Sequence, residues 1–310
     1  MNADCALFTG KTHPVCQDYT RAGYRLLSGK KSPYVLVSDG CTGSPDTDVG
    51  SRLLTFAAEK ALGIYREYDL PFLHAIITAA RVTADSMGLH SFCLDATLVA
   101  AFMEESPSPS ESGKISGSRA TDFLKPQNVL YVPMLGDGTV ALKFKYKKGF
   151  DLLWIEYEDN MPWYLSYLID PKRKDIWEGM ASGIWEHGTG NMKRAYIEPD
   201  GEMETDYLGN ENLSFAFCKA FRNAHLVMAN YTDLDWMAIS SDGIHTFTKK
   251  TDSGSQVVIP THQVASQLFD FKNFKGDFMK RQTTWFMRTF QKQGWQHDDD
   301  LSVAAIYFGD

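Results

Sequence analysis

Cysteine is scarce in this chain. Five residues in 310, Cys5, Cys16, Cys41, Cys93 and Cys218, are odd in number and widely spaced, which excludes a disulfide framework. With no C-x-x-C pair there is no zinc knuckle either, and the thiols are expected to be reduced. Positive charge is also short: 31 Lys and Arg face 39 Asp and Glu, a net charge of −8. Such a surface does not neutralise a nucleic-acid backbone or an anionic membrane, whereas a divalent cation suits it. No apolar run approaches the ~18 residues of a membrane span, and "MNADCALFTG" lacks the basic-then-apolar layout of a signal peptide. A cytoplasmic protein with no membrane partner is expected. The G-x-x-x-x-G-K-[ST] loop of an NTPase is missing, and no Cys has the downstream Arg and hydroxyl of a cysteine-nucleophile phosphatase. Val37-Ser38 before Asp39 breaks the D-x-D that an aspartyl-nucleophile phosphatase needs.

What the chain does contain is a set of short runs rich in β-branched and aromatic residues. "CALFTG", "YVLVSDG", "ATLVAAFM", "VLYVPMLGDG", "TVALKFKYK", "FDLLWIEYE", "WMAISSDG" and "LSVAAIYF" read as strands, and they do not alternate regularly with helices. Helical periodicity is clearest over 48–68, with Val49, Leu53, Ala57 and Leu62 on one face and Asp46 or Asp48 to cap it. A second helix fits 71–87 through Leu73, Ile76, Ile77 and Ala80. A third helical region runs from about 262 to 293, interrupted near "FKNFKGDF", with Phe286, Met287 and Phe290 facing inward. Residues 104–119, Ser/Pro/Gly-rich, read as a solvated loop between strands. The Trp- and Tyr-rich stretch over 148–230 reads as core filling, with a partner-facing surface as the alternative. No repeat or firm boundary divides residues 1–310, so one domain is expected.

Two of the strands end alike, in Ser38-Asp39-Gly40 and Ser241-Asp242-Gly243. A carboxylate at a rigid strand end, followed by a glycine that lets the backbone turn and present its carbonyl, offers adjacent oxygen ligands of the kind Mg²⁺ and Mn²⁺ prefer. Asp18 in "HPVCQDY", Asp137 in "PMLGDG" and the cluster Asp298–Asp300 before the last strand have related settings. Taken singly, each is an ordinary turn. Carboxylates gathered in one place would repel one another and stay partly protonated without cations.

In chain order, "CQDY", "VSDGCTG", "LGDGTVAL", "AISSDGIHTF" and "DDDLSVAAI" resemble the motif series of the metal-dependent protein phosphatases of the PP2C (PPM) type. "DATLVAAF" looks like that family's Gly-Ser-Thr strand, and "HPVCQDY" with "YEDNMPWYLSYL" is similar to its divergent bacterial branch. The resemblance spans about residues 8 to 308. It implies an α+β fold, a four-layer α-β-β-α sandwich with two central antiparallel sheets. It implies two Mn²⁺ or Mg²⁺ ions, with Asp39 bridging, Asp242 and Asp299 on the first, and the Gly40 carbonyl and Asp18 on the second. Asp137 would hold a third, weaker ion together with Asp242. The activity implied is hydrolysis of phosphoserine and phosphothreonine on proteins by a metal-bridging water, opposing a serine/threonine kinase.

The series is departed from at several positions. Cys41 stands where the eukaryotic members have a His that serves as candidate general acid, leaving His245 and His297 as possible substitutes. His13 replaces the phosphate-binding Arg and could contact a phosphoryl oxygen when protonated, though less firmly than a guanidinium. Gln17 replaces one acidic residue, and Asp300 stands where Asn is usual. These replacements keep two alternatives open: a catalytically weak or inactive binding or signalling module, and a phosphatase for small phosphate esters.

Overall fold

The computed structural model describes all residues except 28, 66–67, 105–127, 158–161, 185–190, 205–212, 218–223, 252 and 310. Nearly all of the loop expected over 104–119 and Cys218 lie outside the described residues. The elements run β1 (Asn2–Phe8), β2 (Tyr19–Leu27), β3 (Lys30–Ser38), α1 (Thr47–Ile64), α2 (Leu70–Ser86), β4 (Leu98–Glu104), β5 (Val129–Leu135), β6 (Gly138–Phe144) and β7 (Phe150–Glu156). They continue with α3 (Pro171–Ile184), β8 (Asn191–Ile197), β9 (Met203–Glu204), β10 (Leu213–Phe217), β11 (Ala224–Asn230) and β12 (Leu234–Ser240). The last part holds β13 (Phe247–Lys250), β14 (Gln256–Val258), α4 (Thr261–Leu268), α5 (Phe278–Lys292), β15 (Trp295–His297) and β16 (Leu301–Tyr307).

Two antiparallel sheets form the centre. One has the order β1-β16-β12-β6-β7-β8-β9 and the other β10-β11-β5-β4-β3-β2; a small third sheet, β14-β13-β15, hangs beside them. Successive side chains on a strand point to opposite faces, and the sequence uses both faces. In β3, Val35 and Val37 enter the core between the sheets while Leu36 turns outward under α1 and α2. In β16, Ala304 and Ile306 face the other sheet while Val303 and Ala305 lie under α4 and α5. Being covered on both sides explains why these strands are continuous apolar runs. The result is the expected four-layer α-β-β-α sandwich.

The helices start and stop close to their expected limits, with differences that have physical causes. The α2 stripe of Leu73, Ile76, Ile77 and Ala80 is buried as expected, and Asp69 caps that helix by accepting a 2.9 Å bond from the Phe72 amide. In α1, Ala57 and Leu62 are buried as expected while Val49 and Leu53 are half-buried, and the buried face widens to Gly50, Leu54, Ala58 and Ala61, because this helix packs on α2 and on a short helical turn at Ser91–Leu94 as well as on the sheet. Asp46 occupies the N-cap position of α1 but makes no capping bond, its backbone being left-handed at φ 54°. Phe286, Met287 and Phe290 of α5 point inward. The helix α3 was not expected: its amphipathic stripe is weak, and it is held by Trp177 packing with Trp163, Leu165 and Tyr167 against the α1–α2 layer.

Candidate active site

Five carboxylates from separate segments meet at one end of the sandwich. Asp39 follows β3, Asp137 sits in the turn between β5 and β6, Asp242 opens a short helical turn after β12, Asp299 precedes β16, and Asp18 precedes β2. Each strand end is fixed by its neighbours. Asp39 is held by Thr97, whose hydroxyl accepts from the Asp39 amide at 3.1 Å and whose amide donates to the Asp39 carbonyl at 2.8 Å. The Ser38 hydroxyl donates to the Thr97 carbonyl at 2.6 Å, so the β3 and β4 ends form one rigid corner. On the other sheet, the Ser241 amide donates to the Ser302 carbonyl at 3.0 Å and the Ser302 amide to the Ser241 hydroxyl at 3.1 Å, pinning the Asp242 turn to β16.

The glycines after the strand-end aspartates serve close approach rather than unusual backbone angles. Gly40 and Gly243 do not adopt positive φ. A Cβ on Gly243 would lie 1.8 Å from the Asp300 carbonyl oxygen, and one on Gly40 would lie 2.8 Å from Thr47 and 2.9 Å from the Gln17 carbonyl. The expected role as a sharp turn belongs instead to Gly136 and Gly138 around Asp137, at φ +95° and +146°.

The electrostatics of the cluster are those of negative charge held out of water. Asp18 is 1% exposed and both of its oxygens are buried without a hydrogen-bond partner. It faces the Asp39 carboxylate and the hydroxyls of Ser241 and Ser302, none of them in bonding geometry. Burial raises its pKa first, and the charge of Asp300 adds to this. Asp39 is pushed up well beyond the usual carboxylate range by burial and then by Asp18, Asp242 and Asp137. Asp242 is pushed up by burial, Asp137, Asp299 and Asp18, and its buried Oδ1 also lacks a partner. Asp137 rises through burial and the charges of Asp18 and Asp299. Mutual repulsion of this kind is relieved by protons or by cations.

The fit of these residues to hard cations follows from the same facts. Orphaned buried carboxylate oxygens at Asp18 and Asp242, with Asp39 between them, form an all-oxygen donor set of the type Mg²⁺ and Mn²⁺ favour. Among the described residues, no group of three or more His, Cys, Asp or Glu side chains is arranged to hold a metal ion as it stands. The cluster is therefore an open one whose carboxylates would draw in around an ion.

Neighbouring acidic residues divide their tasks. Asp299 keeps 35% of its side chain exposed, while Asp300 is buried at 1%. Asp300 fastens the 10–17 segment: Oδ1 accepts from the Gly10 amide at 2.7 Å, and Oδ2 lies 2.6 Å from the Gln17 amide and 2.9 Å from His13 Nδ1. His13 is thus placed at the cluster, its Nδ1 also 3.5 Å from Asp299 Oδ1, with a carboxylate already holding one ring nitrogen.

His297 and His245, the two candidate proton donors, occupy structural positions. His297 lies flat on Phe247 and edge-on to Phe290, packed as an aromatic ring. His245 has Nδ1 2.7 Å from the Thr261 hydroxyl and Nε2 3.3 Å from the Thr139 hydroxyl, which leaves neither nitrogen free for a leaving group.

Sequence reasoning missed a buried hub. Asp95, with 3% of its side chain exposed, accepts from Ser44 at 2.9 Å, from Ser166 at 2.7 Å and from both ends of the Arg173 guanidinium at 2.9 and 2.6 Å. Its carbonyl takes the Cys41 amide at 2.8 Å. One residue thereby ties the loop after Asp39-Gly40 to the segment carrying α3, and the Tyr164 hydroxyl comes to rest beside the Cys41 thiol, facing Asp39 and Asp137. The only signal in the sequence was the aromatic run "PWYLSYL", which by composition alone is indistinguishable from core.

No protein-family profile matches the sequence and no curated protein matches it. Solved structures do match in shape. A bacterial serine phosphatase is 10% identical with a TM-score of 0.50, covering 100% of this chain and 98% of its own. The S. agalactiae serine/threonine phosphatase is likewise 10% identical with a TM-score of 0.50, over 99% and 98% of the two chains. The chain therefore has the four-layer fold of the bacterial serine/threonine phosphatases, the PP2C-type architecture that its motif order implies.

Proposed function

We propose that the protein is a metal-dependent phosphatase of the PP2C type that hydrolyses phosphoserine and phosphothreonine on proteins, opposing a serine/threonine kinase. The observation that carries this reading is the convergence of Asp18, Asp39, Asp137, Asp242 and Asp299, with buried oxygens on Asp18 and Asp242 that no protein donor satisfies. Asp39, Asp242 and Asp299 would hold one ion, and Asp39, Asp18 and the Gly40 carbonyl a second. Asp137 and Asp242 are the candidates for a third. Bound Mn²⁺ or Mg²⁺ would supply charge neutralisation at phosphorus and an acidified water for in-line attack.

The chain's own residues do the rest. The Thr97 bonds to Asp39 and the Ser241–Ser302 pair keep the carboxylates from moving apart, which preserves orientation through the reaction. His13, held at Nδ1 by Asp300, can present its remaining nitrogen to a phosphoryl oxygen. Cys41 and Tyr164 border the Asp39 side of the cluster; burial pushes the Tyr164 hydroxyl up, away from proton release at neutral pH, so solvent would supply the leaving group's proton. Among the described residues no helix is long and apolar enough to cross a membrane, and a phosphorylated protein is the partner this site would take.

The test is hydrolysis of an aryl phosphate and a phosphothreonine peptide by wild type and Asp39→Asn, each with Mn²⁺ or chelator. Turnover that needs metal and disappears in the variant supports the reading. A folded wild type with no turnover at any Mn²⁺ concentration would leave a binding module. In that case the His13–Asp300 contact would mark a residue withdrawn from phosphate binding. Turnover of the aryl ester without the peptide would point to small phosphate esters.

A further inference from the structure

His245 ends the short helical turn that Asp242 opens, and its ring reaches across to two other elements. Nε2 meets the hydroxyl of Thr139, fully buried in β6 two residues after Asp137, and Nδ1 meets the hydroxyl of Thr261, the first residue of α4. A neutral imidazole has one N–H and one lone pair, so one threonine accepts and the other donates. Burial keeps the ring neutral, its pKa lowered to about 4.

The consequence is a link between two separate turns. β6 and β12 are paired through Ser240↔Thr139, so the Asp137 and Asp242 turns already leave the same end of the same sheet. The β12–β6 pairing ends at Ser240↔Thr139, and beyond it side chains link the Asp242 turn to β6. The charge of Asp137 bears on Asp242 and favours its protonation. The Ser241–Ser302 bonds tie the Asp242 turn to β16, and the His245 ring adds the side-chain tie from that turn to β6, the strand that Asp137 precedes.

We infer that His245 is a positioning residue for the cation site: its imidazole, bridging Thr139 and Thr261, holds the Asp242 turn against the Asp137 turn. This inference rests on the phosphatase reading only in so far as both need cations at the cluster. Both ring nitrogens of His245 are engaged by threonine hydroxyls. The residue acts through the placement of two carboxylates, much as outer hydrogen bonds orient metal ligands elsewhere, where their loss costs about 10- to 100-fold in metal affinity.

The experiment is calorimetric titration of the full-length, metal-free chain with Mn²⁺ alone, for wild type, His245→Leu, His245→Gln, Thr139→Val and the His245→Leu/Thr139→Val double variant. About 10-fold weaker Mn²⁺ binding is expected for His245→Leu and for Thr139→Val. The double variant should be no weaker than the worse single one, because both remove the same bridge. His245→Gln, which can still reach one hydroxyl, should bind more tightly than His245→Leu. Folded His245→Leu with wild-type Mn²⁺ affinity would overturn the inference, and so would additive losses in the double variant. If His245→Leu fails to fold, Thr139→Val decides by itself, unchanged affinity again counting against the bridge. A wild type that binds no Mn²⁺ at all would instead overturn the phosphatase reading, and with it the site that His245 is assigned to position.

Discussion

Asp18→Asn should stabilise the metal-free protein and at the same time remove most of its response to Mn²⁺. Asp18 is buried, has no hydrogen-bond partner for either oxygen, and faces Asp39. Its pKa is raised from 3.8 to about 6, mainly by burial. At about 1.4 kcal/mol per pH unit, keeping this group ionised at pH 8 costs roughly 3 kcal/mol relative to the unfolded chain. Asparagine has the same shape and no charge. Its amide would find acceptors in the Ser302 hydroxyl, which also lacks a partner, and in the Asp39 carboxylate.

With an unfolding entropy of about 2 cal/mol/K per residue, 3 kcal/mol corresponds to a rise of roughly 5 °C for a chain this long. The assay is thermal unfolding followed by circular dichroism at pH 8, in chelator and in Mn²⁺. Wild type should gain stability on adding Mn²⁺, as any ligand of the folded state alone confers, while Asp18→Asn should start higher and gain less. A variant that melts below wild type in chelator would refute the argument, since it would show that the ionised carboxylate is satisfied in the folded chain.

Three further outcomes follow from the same geometry. In chelator, the stability that protonated Asp18 and Asp137 give wild type should be complete below about pH 4 and should be lost as pH rises from there through about 6. The folded pKa values of Asp18 and Asp137 are raised, so the folded state holds protons that the unfolded state has lost; denaturant titration at pH 5 and 8 reads this, and a rise toward pH 8 would contradict it. Arg173→Ala should cost about 3–5 kcal/mol, because it strands the buried Asp95 carboxylate without its bidentate partner; equilibrium unfolding measures the loss, and a change below about 1 kcal/mol would mean that Ser44 and Ser166 suffice. Gly243→Ala should abolish Mn²⁺ binding, since its Cβ would fall 1.8 Å from the Asp300 carbonyl oxygen and force the Asp242 turn off β16; wild-type Mn²⁺ titration in that variant would refute the close-approach account.

The layers of the fold were legible because their signals are local. Leu36 between Val35 and Val37 tells a reader that both faces of β3 are covered, and the Leu73, Ile76, Ile77 spacing marks the α2 face without reference to any other segment. The carboxylates were legible for a related reason: Asp39, Asp137 and Asp242 each follow an apolar run that places them, and these three ends meet Asp18 and Asp299, which lead into β2 and β16, when the sheets pack. What could not be read is whatever depends on partners distant in sequence. Asp95 looks like an ordinary strand-flanking acid until Arg173, 78 residues later, closes on it. The short strands of the third sheet have too few residues to carry a period, and β14, three exposed residues, has no buried face to announce it. The glycines were correctly placed and wrongly explained, because a close contact with Asp300 or Thr47 leaves no trace in the flanking residues.

The adjacent pair Asp299 and Asp300 shows most plainly why identity along the chain underdetermines role. Both are aspartates at the mouth of β16, yet the bend at Asp299 leaves its side chain 35% exposed at the cluster while Asp300 is buried at 1%. The buried one spends its lone pairs on the Gly10 and Gln17 amides and on His13. Those bonds hold the segment leading to Asp18, so a carboxylate that would not itself touch a cation still fixes where one of the candidate ligands stands. An asparagine could accept one amide bond with its single oxygen but not both, and its NH₂ would face a second N–H. The His13 and Asp300 departures from the motif series that the sequence resembles are thus coupled in space: the aspartate is the one that holds the histidine.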